Sequence, residues 1–185
     1  MSLAEAVAGL LTLGPAHGYE LMSILESELG PTWEVRPSNL YLVLGRTERD
    51  GLVLHELVEQ FGRPDRRLLK LTSKGAQLAN RWLDEAGDPG EFLLKIAVTR
   101  LVRPGQVAEL AARMARPQTA ALAQLRSLRA ESSGGLQREA VNLEIGLIQA
   151  RLRWLSEIQQ SATELASRPR GSRSARRRQE ARTIA

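Results

Sequence analysis

The amino-acid sequence predicts a mostly α chain with a small β-hairpin, an α+β protein in two parts. Three observations carry this. Apolar residues recur at helical spacing along most of the chain, interrupted by Gly-Pro and Pro-Gly pairs. Two short runs rich in strand formers, 53–58 and 68–71, flank a turn of Gly, Pro and Arg. Towards the C-terminus Val141, Ile145, Ile148, Leu152 and Leu155 alternate steps of four and three, the spacing of a helix-packing seam.

Leu3, Val7, Leu10 and Leu11 mark a first helix, which Gly14-Pro15 ends. A second is expected from Gly18 to Leu29, with Leu21, Ile24 and Leu25 inward and Gly30-Pro31 closing it. The third enters through Pro37, whose missing N–H has no partner to lose at a first helical position. Ser38 or Asn39 can serve its first turn, and Asp50-Gly51 stops it. Around this helix Leu40, Leu44 and Thr47 share one side, while Ser38, Leu42, Gly45, Arg46 and Arg49 share the other. The second side is narrow, small-sided and basic, as a helix lying in a DNA major groove needs to be.

The two strand-forming runs pair back across the basic turn 62–67, although the register is not readable. Thr72 or Ser73 can cap a fourth helix that docks through Leu78, Trp82 and Leu83. Helix, turn, helix and then an arginine-tipped hairpin make a winged helix-turn-helix. The break at 84–90 (Asp-Glu-Ala-Gly-Asp-Pro-Gly) divides this DNA-binding domain, residues 1–86, from an all-helical dimerisation domain, residues 90–166.

Beyond the break, a helix over 91–101 has the apolar face Phe92, Leu93, Ile96, Ala97 and Leu101. A longer one starts near Pro104 and runs to about Ala130, with Pro117 kinking or restarting it. Ser132 to Gly135 form a turn, and the seam helix follows, with Ala162 a heptad beyond Leu155. Three such apolar faces exceed what one subunit can bury. A homodimer through Val141, Ile145, Ile148, Leu152 and Leu155 is the expected solution, and it would present two recognition helices to a palindromic operator. Residues 167–185 are expected to be a disordered Arg-rich tail.

Charge is informative once divided. Residues 168–185 hold seven arginines and one glutamate, net +6; the other 167 hold 19 Lys+Arg and 20 Asp+Glu, net −1. The overall +5 therefore belongs to the tail, and alone it says little about nucleic acid. Such a tail can hold DNA phosphates without sequence preference. The absence of cysteine excludes disulfides and thiolate metal sites and suits the reducing cytoplasm. No apolar run approaches the ~20 residues that cross a bilayer.

Nothing in the sequence assembles a catalytic site. His17 and His55 have no neighbouring nucleophile or ligand set, Glu56 and Glu59 fall on opposite faces of a strand, and no glycine-rich phosphate loop is present. No enzyme activity, metal or cofactor is expected. Side-chain chemistry instead assigns DNA contacts. Arg46 and Arg49 reach guanine edges or phosphates, Ser38 and Asn39 stand where a helix N-terminus meets phosphate, and Tyr41 can donate to one. Leu42 can meet a thymine methyl, and Arg63, Arg66 and Arg67 would flank the duplex as the wing.

His17-Gly-Tyr-Glu20, Trp33-Glu-Val-Arg-Pro-Ser38 leading into Leu40-Tyr41, Asp50-Gly-Leu52, Gly62-Arg-Pro64 and Leu71-Thr-Ser-Lys-Gly75 resemble, in order and spacing, the PadR family of transcriptional regulators. The resemblance covers roughly residues 1–86. It implies a homodimeric repressor with Tyr19 as a second-helix contact to the DNA backbone, relieved by a small hydrophobic effector between domains or at the dimer interface. Trp154 and Trp82 are the aromatic residues placed to line such a pocket. Leu42 stands where the family usually has proline, and Gly45-Arg46-Thr47 replaces a more helix-favouring run. The alternative is a winged-helix dimer that binds protein or RNA without recognising an operator.

Overall fold

The computed structural model describes residues 2–32, 36–58, 66–131 and 134–167, and within them the chain forms seven α-helices and one two-stranded antiparallel sheet. Helix α1 (Ser2–Leu10) is the post around which the first core is built. Ala6, Val7 and Leu10 are buried, and the later helices α4 (Ser73–Asp84) and α5 (Phe92–Val102) pack over it. Gly9 permits that approach, because a Cβ there would stand 2.9 Å from Val98 Cγ1.

Helix α2 spans Gly18–Leu29 with Leu21 and Leu25 buried, and α3 spans Pro37–Arg49 with Leu40, Leu44 and Thr47 buried. Ser38 and Asn39 do not cap α3: Arg36 is the N-cap residue without a side-chain bond, and the Asn39 N–H donates back to its carbonyl at 2.9 Å. Gly51 takes φ +67 just beyond the helix, a conformation that favours glycine.

Strand β1 (Val53–Val58) pairs antiparallel with β2 (Arg66–Leu71), Val53 opposite Leu71 and Val58 opposite Arg66. The second strand thus begins at Arg66, two residues before the apolar run, and Arg66 and Arg67 belong to the ladder and not to the turn. The ladder is made by main chain, so a polar side chain does not end a strand whose outer face meets solvent. Residues 33–35, 59–65 and 168–185 lie outside the described residues, and with them the Trp33-Glu-Val segment, the wing tip with Arg63, and the tail whose disorder was expected.

The base of the hairpin is a tight joint. Thr72 caps α4 by accepting from the Gly75 N–H at 3.0 Å and donates its hydroxyl to the Gly51 carbonyl at 2.7 Å. The Thr72 N–H bonds the Leu52 carbonyl at 3.0 Å, and Lys74 Nζ donates to the Asp50 carbonyl at 2.8 Å. A Cβ on Gly75 would overlap that same Leu52 oxygen.

A second core lies beyond residue 90. Phe92 and Ile96 of α5 meet Val107, Leu110, Ala111 and Met114 of α6 (Val107–Glu131) and Leu155 of α7 (Gly135–Ser167). Helix α5 serves both cores at once, since Leu94, Ala97 and Val98 turn to the first. The expected inward Leu93 is instead 38% exposed, because the two buried faces leave only the strip of Leu93 and Arg100 to solvent. Pro117 sits within a continuous α6, which starts at Val107 after a 3-10 turn over Pro104–Gln106. Helices α6 and α7 then fold back on each other through Gly134 and Gly135, both at positive φ.

The predicted seam is covered by the chain itself. Val141, Ile145 and Ile148 are buried and Leu152 half-buried against Leu122 and Leu125 of α6, and Leu155 is buried beside Met114. The 4-3 spacing reports a helix partner; that partner is α6 of the same subunit.

Candidate nucleic-acid interface

Helix α3 carries its apolar stripe into the first core and leaves the opposite flank in solvent. Ser38, Asn39, Arg46 and Arg49 are exposed, Leu42 is 62% exposed and Tyr41 58%. A buried hydroxyl anchors the inner side: Thr47 Oγ1 donates to the Leu44 carbonyl at 2.8 Å. Gly45 lies on the free flank with nothing within 4 Å of where a Cβ would stand, so no packing inside the chain requires a glycine there. Arg49 Nε reaches back to the Gly45 carbonyl at 3.1 Å and lies along the helix. Tyr19, on the first turn of α2, is 76% exposed, not a half-buried core residue.

Beside this flank the start of α2, helix α3 and the β1–β2 hairpin enclose a cleft of about 620 Å³, lined by His17, Tyr19, Tyr41, Glu48, His55 and Leu69 among others. Its architecture follows from one residue. Leu69 of β2 is paired with His55 on β1, and on its other side it bridges to Ala16, exchanging N–H to O bonds of 2.9 and 3.1 Å. Ala16 precedes His17, so both histidines of the chain are drawn to one place from 38 residues apart. Across the cleft Glu48 Oε2 lies 3.3 Å from His55 Nε2. Sequence reasoning assigned neither His17, His55 nor Glu48 to this surface. The signal was the conspicuous His17-Gly-Tyr-Glu20 run, but the meeting with His55 depends on the long-range bridge.

The wing is placed only at its base. Arg66 and Arg67 stand opposite Val58 and Leu57 in the ladder, which directs the hairpin away from the joint at Gly51 and Gly75.

The two tryptophans weighed for an effector sit elsewhere. Trp82 is buried in the first core, donates its indole N–H to Glu91 Oε2 at 3.4 Å, and has Lys95 Nζ 4.8 Å from its ring centroid. Lys95 is itself fully buried and donates to the Glu85 carbonyl at 2.8 Å; burial holds its ammonium below the usual lysine range. Trp154 is half-buried against the second core with Ile158 and Ala162. Among the described residues no group of three or more His, Asp or Glu is arranged to hold a metal, and no helix is long and apolar enough to cross a membrane.

Comparison with known proteins bears on residues 7–81, which match the transcriptional regulator PadR-like family. The chain is similar to the negative transcriptional regulator PadR of Bacillus subtilis, 30% identical over 81 residues, 44% of each chain. It is also similar to the probable transcriptional regulator Rv1176c of Mycobacterium tuberculosis, 28% identical over 89 residues, 48% of this chain and 47% of that one. Each match thus spans less than half of the curated relative. Among solved structures, Bacillus subtilis PadR in complex with operator DNA is 21% identical, covering 88% of this chain and 99% of that one, with a TM-score of 0.42. The same protein in complex with p-coumaric acid gives 20% identity over 88% and 96%, with a TM-score of 0.39.

Proposed function

We propose, from the match of residues 7–81 to the PadR-like family, that this chain is a DNA-binding transcriptional regulator that acts as a homodimeric repressor. The observation that carries the reading is the free flank of α3: Ser38, Asn39, Leu42, Arg46 and Arg49 face solvent while Leu40, Leu44 and Thr47 fix the helix to the core. A glycine inside a helix costs about 0.5–1 kcal/mol relative to alanine. At Gly45 no internal contact accounts for that cost, and close approach to a groove would.

In this reading Arg46 and Arg49 contact guanine edges or phosphates, and Leu42 meets a thymine methyl. Tyr19, Ser38, Asn39 and Tyr41 hold the backbone, and Arg63, Arg66 and Arg67 flank the duplex as the wing. The helical domain, residues 90–166, joins two subunits and sets the distance between their α3 helices for a palindromic operator. A dimer face is at hand on α7, where Leu136, Leu143 and Leu147 recur at steps of seven and four and stand in solvent, Leu136 at 79% and Leu143 at 66%. A small hydrophobic effector lodged near Trp154 would release DNA by changing that distance. The repressive sign is supported by the name of the Bacillus subtilis relative.

The test is a gel shift with duplex DNA from upstream of the protein's own coding sequence. Arg46→Ala is expected to weaken binding by about 1–3 kcal/mol, the scale of a lost base contact. Arg66→Ala/Arg67→Ala is expected to weaken it across all sequences alike. If both variants bind as the parent does, while removal of residues 168–185 abolishes binding, operator recognition by α3 is wrong.

A further inference from the structure

The cleft beside α3 holds the chain's two histidines, and the DNA reading above uses only its tyrosines, Tyr19 and Tyr41, and gives no role to His55 or Glu48. We propose that it is part of the DNA-facing surface and that the Glu48–His55 pair makes DNA affinity depend on pH. The inference rests on the proposed DNA binding.

The geometry is specific. Glu48 lies in the last turns of α3, on the flank that carries Tyr41 and Gly45 and adjoins the basic side of Arg46 and Arg49. In the proposed complex an ionised carboxylate there would stand beside the phosphate strand and repel it. His55 is the group set against it, 3.3 Å away on β1. Both side chains are partly exposed, 47% for Glu48 and 34% for His55, so solvent protons and a nucleic acid reach them alike.

Several other charged groups of the neighbouring elements have partners of their own. On α2, Glu20 Oε2 accepts from the His17 N–H at 2.8 Å. On α3, Arg49 is turned to the Gly45 carbonyl. On the sheet, Lys70 pairs with Glu56 at 3.3 Å, and on α4 Lys74 holds the Asp50 carbonyl. His17, Tyr19 and Tyr41 complete the lining from α2 and α3.

Imidazole is the side chain whose charge ordinarily changes between about pH 5 and 8. When His55 is protonated it cancels the charge of Glu48, and the flank of α3 presents an uninterrupted positive face. When His55 is neutral, Glu48 stands uncompensated. DNA favours the first state, so binding takes up a proton and affinity rises as pH falls. Because α3 and β1 are joined by only Asp50, Gly51 and Leu52, the same contact also braces the hairpin against the recognition helix.

The experiment is fluorescence anisotropy with the upstream duplex at fixed ionic strength, at about pH 6 and pH 8. The parent is expected to bind about fivefold more tightly at the lower pH, the scale of one exposed charge interaction. His55→Asn is expected to bind as weakly at pH 6 as the parent does at pH 8. Glu48→Gln is expected to bind at pH 8 at least as tightly as the parent does at pH 6, with the step reduced. His17→Asn should keep the step. Thermal melts at both pH values establish that each variant is folded. A step that survives in both His55→Asn and Glu48→Gln, or one that vanishes in His17→Asn alone, overturns the proposal. Equal binding by the parent at the two pH values overturns it too and leaves the DNA-binding reading standing. No binding at either pH removes the DNA-binding reading itself.

Discussion

Helices α3 and α7 are built alike and finished differently. Each commits one stripe to its own chain: Leu40, Leu44 and Thr47 of α3 to the first core, Val141, Ile145 and Ile148 of α7 to α6. Each leaves another stripe in water. On α3 the free stripe is Ser38, Leu42, Gly45, Arg46 and Arg49, small, polar and basic; on α7 it holds Leu136, Leu143 and Leu147. The buried stripes are interchangeable in kind, and they say only that a helix is packed. The free stripes carry the distinction, since a basic narrow face suits a charged groove and an apolar one suits another protein surface.

The largest effect should come from confusing the two stripes of α7. Ile148→Ala removes a side chain buried between α6 and α7 and should cost about 2–5 kcal/mol. Thermal unfolding followed by circular dichroism reads it directly. Leu143→Glu combined with Leu147→Glu changes exposed residues outside the buried core between α6 and α7, so the fold should hold. The apparent mass in analytical ultracentrifugation should fall to that of one chain, and affinity for DNA should fall with it. A chain that is monomeric before any substitution would remove the dimeric half of the comparison.

Next in size is the joint that aims the hairpin beside α3. Gly75→Ala drives a methyl group into the Leu52 carbonyl, and the backbone at Gly51 and Thr72 must move to admit it. Overpacking of this kind costs about 1–3 kcal/mol. Thermal unfolding should register that loss. Because the joint orients β1 and β2, DNA affinity should fall further than the loss of folded protein accounts for. Loss of stability with DNA affinity unchanged per folded molecule would separate the joint from the recognition surface.

The sequence was most legible where structure is local. The bounds of α2 and the two sides of α3 follow from helical spacing with Gly and Pro as punctuation, and the cap of α4 is narrowed to Thr72 or Ser73, of which Thr72 takes the role. It was less legible wherever the answer depends on what lies opposite. Periodicity at Val141 to Leu155 announces a partner without saying whose helix it is, and α6 proves to be near enough to take that role. In α5, every residue from Leu94 to Thr99 is buried, because the helix is sandwiched between two cores, and a one-sided wheel misplaces Leu93. The start of β2 at Arg66 is invisible to an apolar pattern, and the cleft of His17 and His55 is set by the Ala16–Leu69 bridge. Lys95 gives no warning at all, as a lysine on an amphipathic helix is ordinarily read as solvated.

The smallest effect lies where the two regions are joined, around that lysine. Burial raises the Glu5 carboxyl above the usual range; the Glu91 carboxylate adds to this, while a backbone hydrogen bond, the chain N-terminus and Lys95 act against it. Glu5 Oε2 is buried without a hydrogen-bond partner among the described residues. The folded state therefore holds the Glu5 proton more tightly than the unfolded chain does. Its contribution to stability is present while the carboxyl is protonated and is lost as pH rises out of the carboxylate range. At neutral pH the ionised side chain is a net cost, so Glu5→Gln should raise the melting temperature there. The gain should shrink as pH falls to about 4, where both states of the parent carry the proton. Melting curves of the two proteins at about pH 7 and pH 4 measure the difference. A Glu5→Gln gain that is the same at both would assign the effect to shape and hydrogen bonding, and Glu5 would then carry no proton linkage between the winged domain and the helical arm.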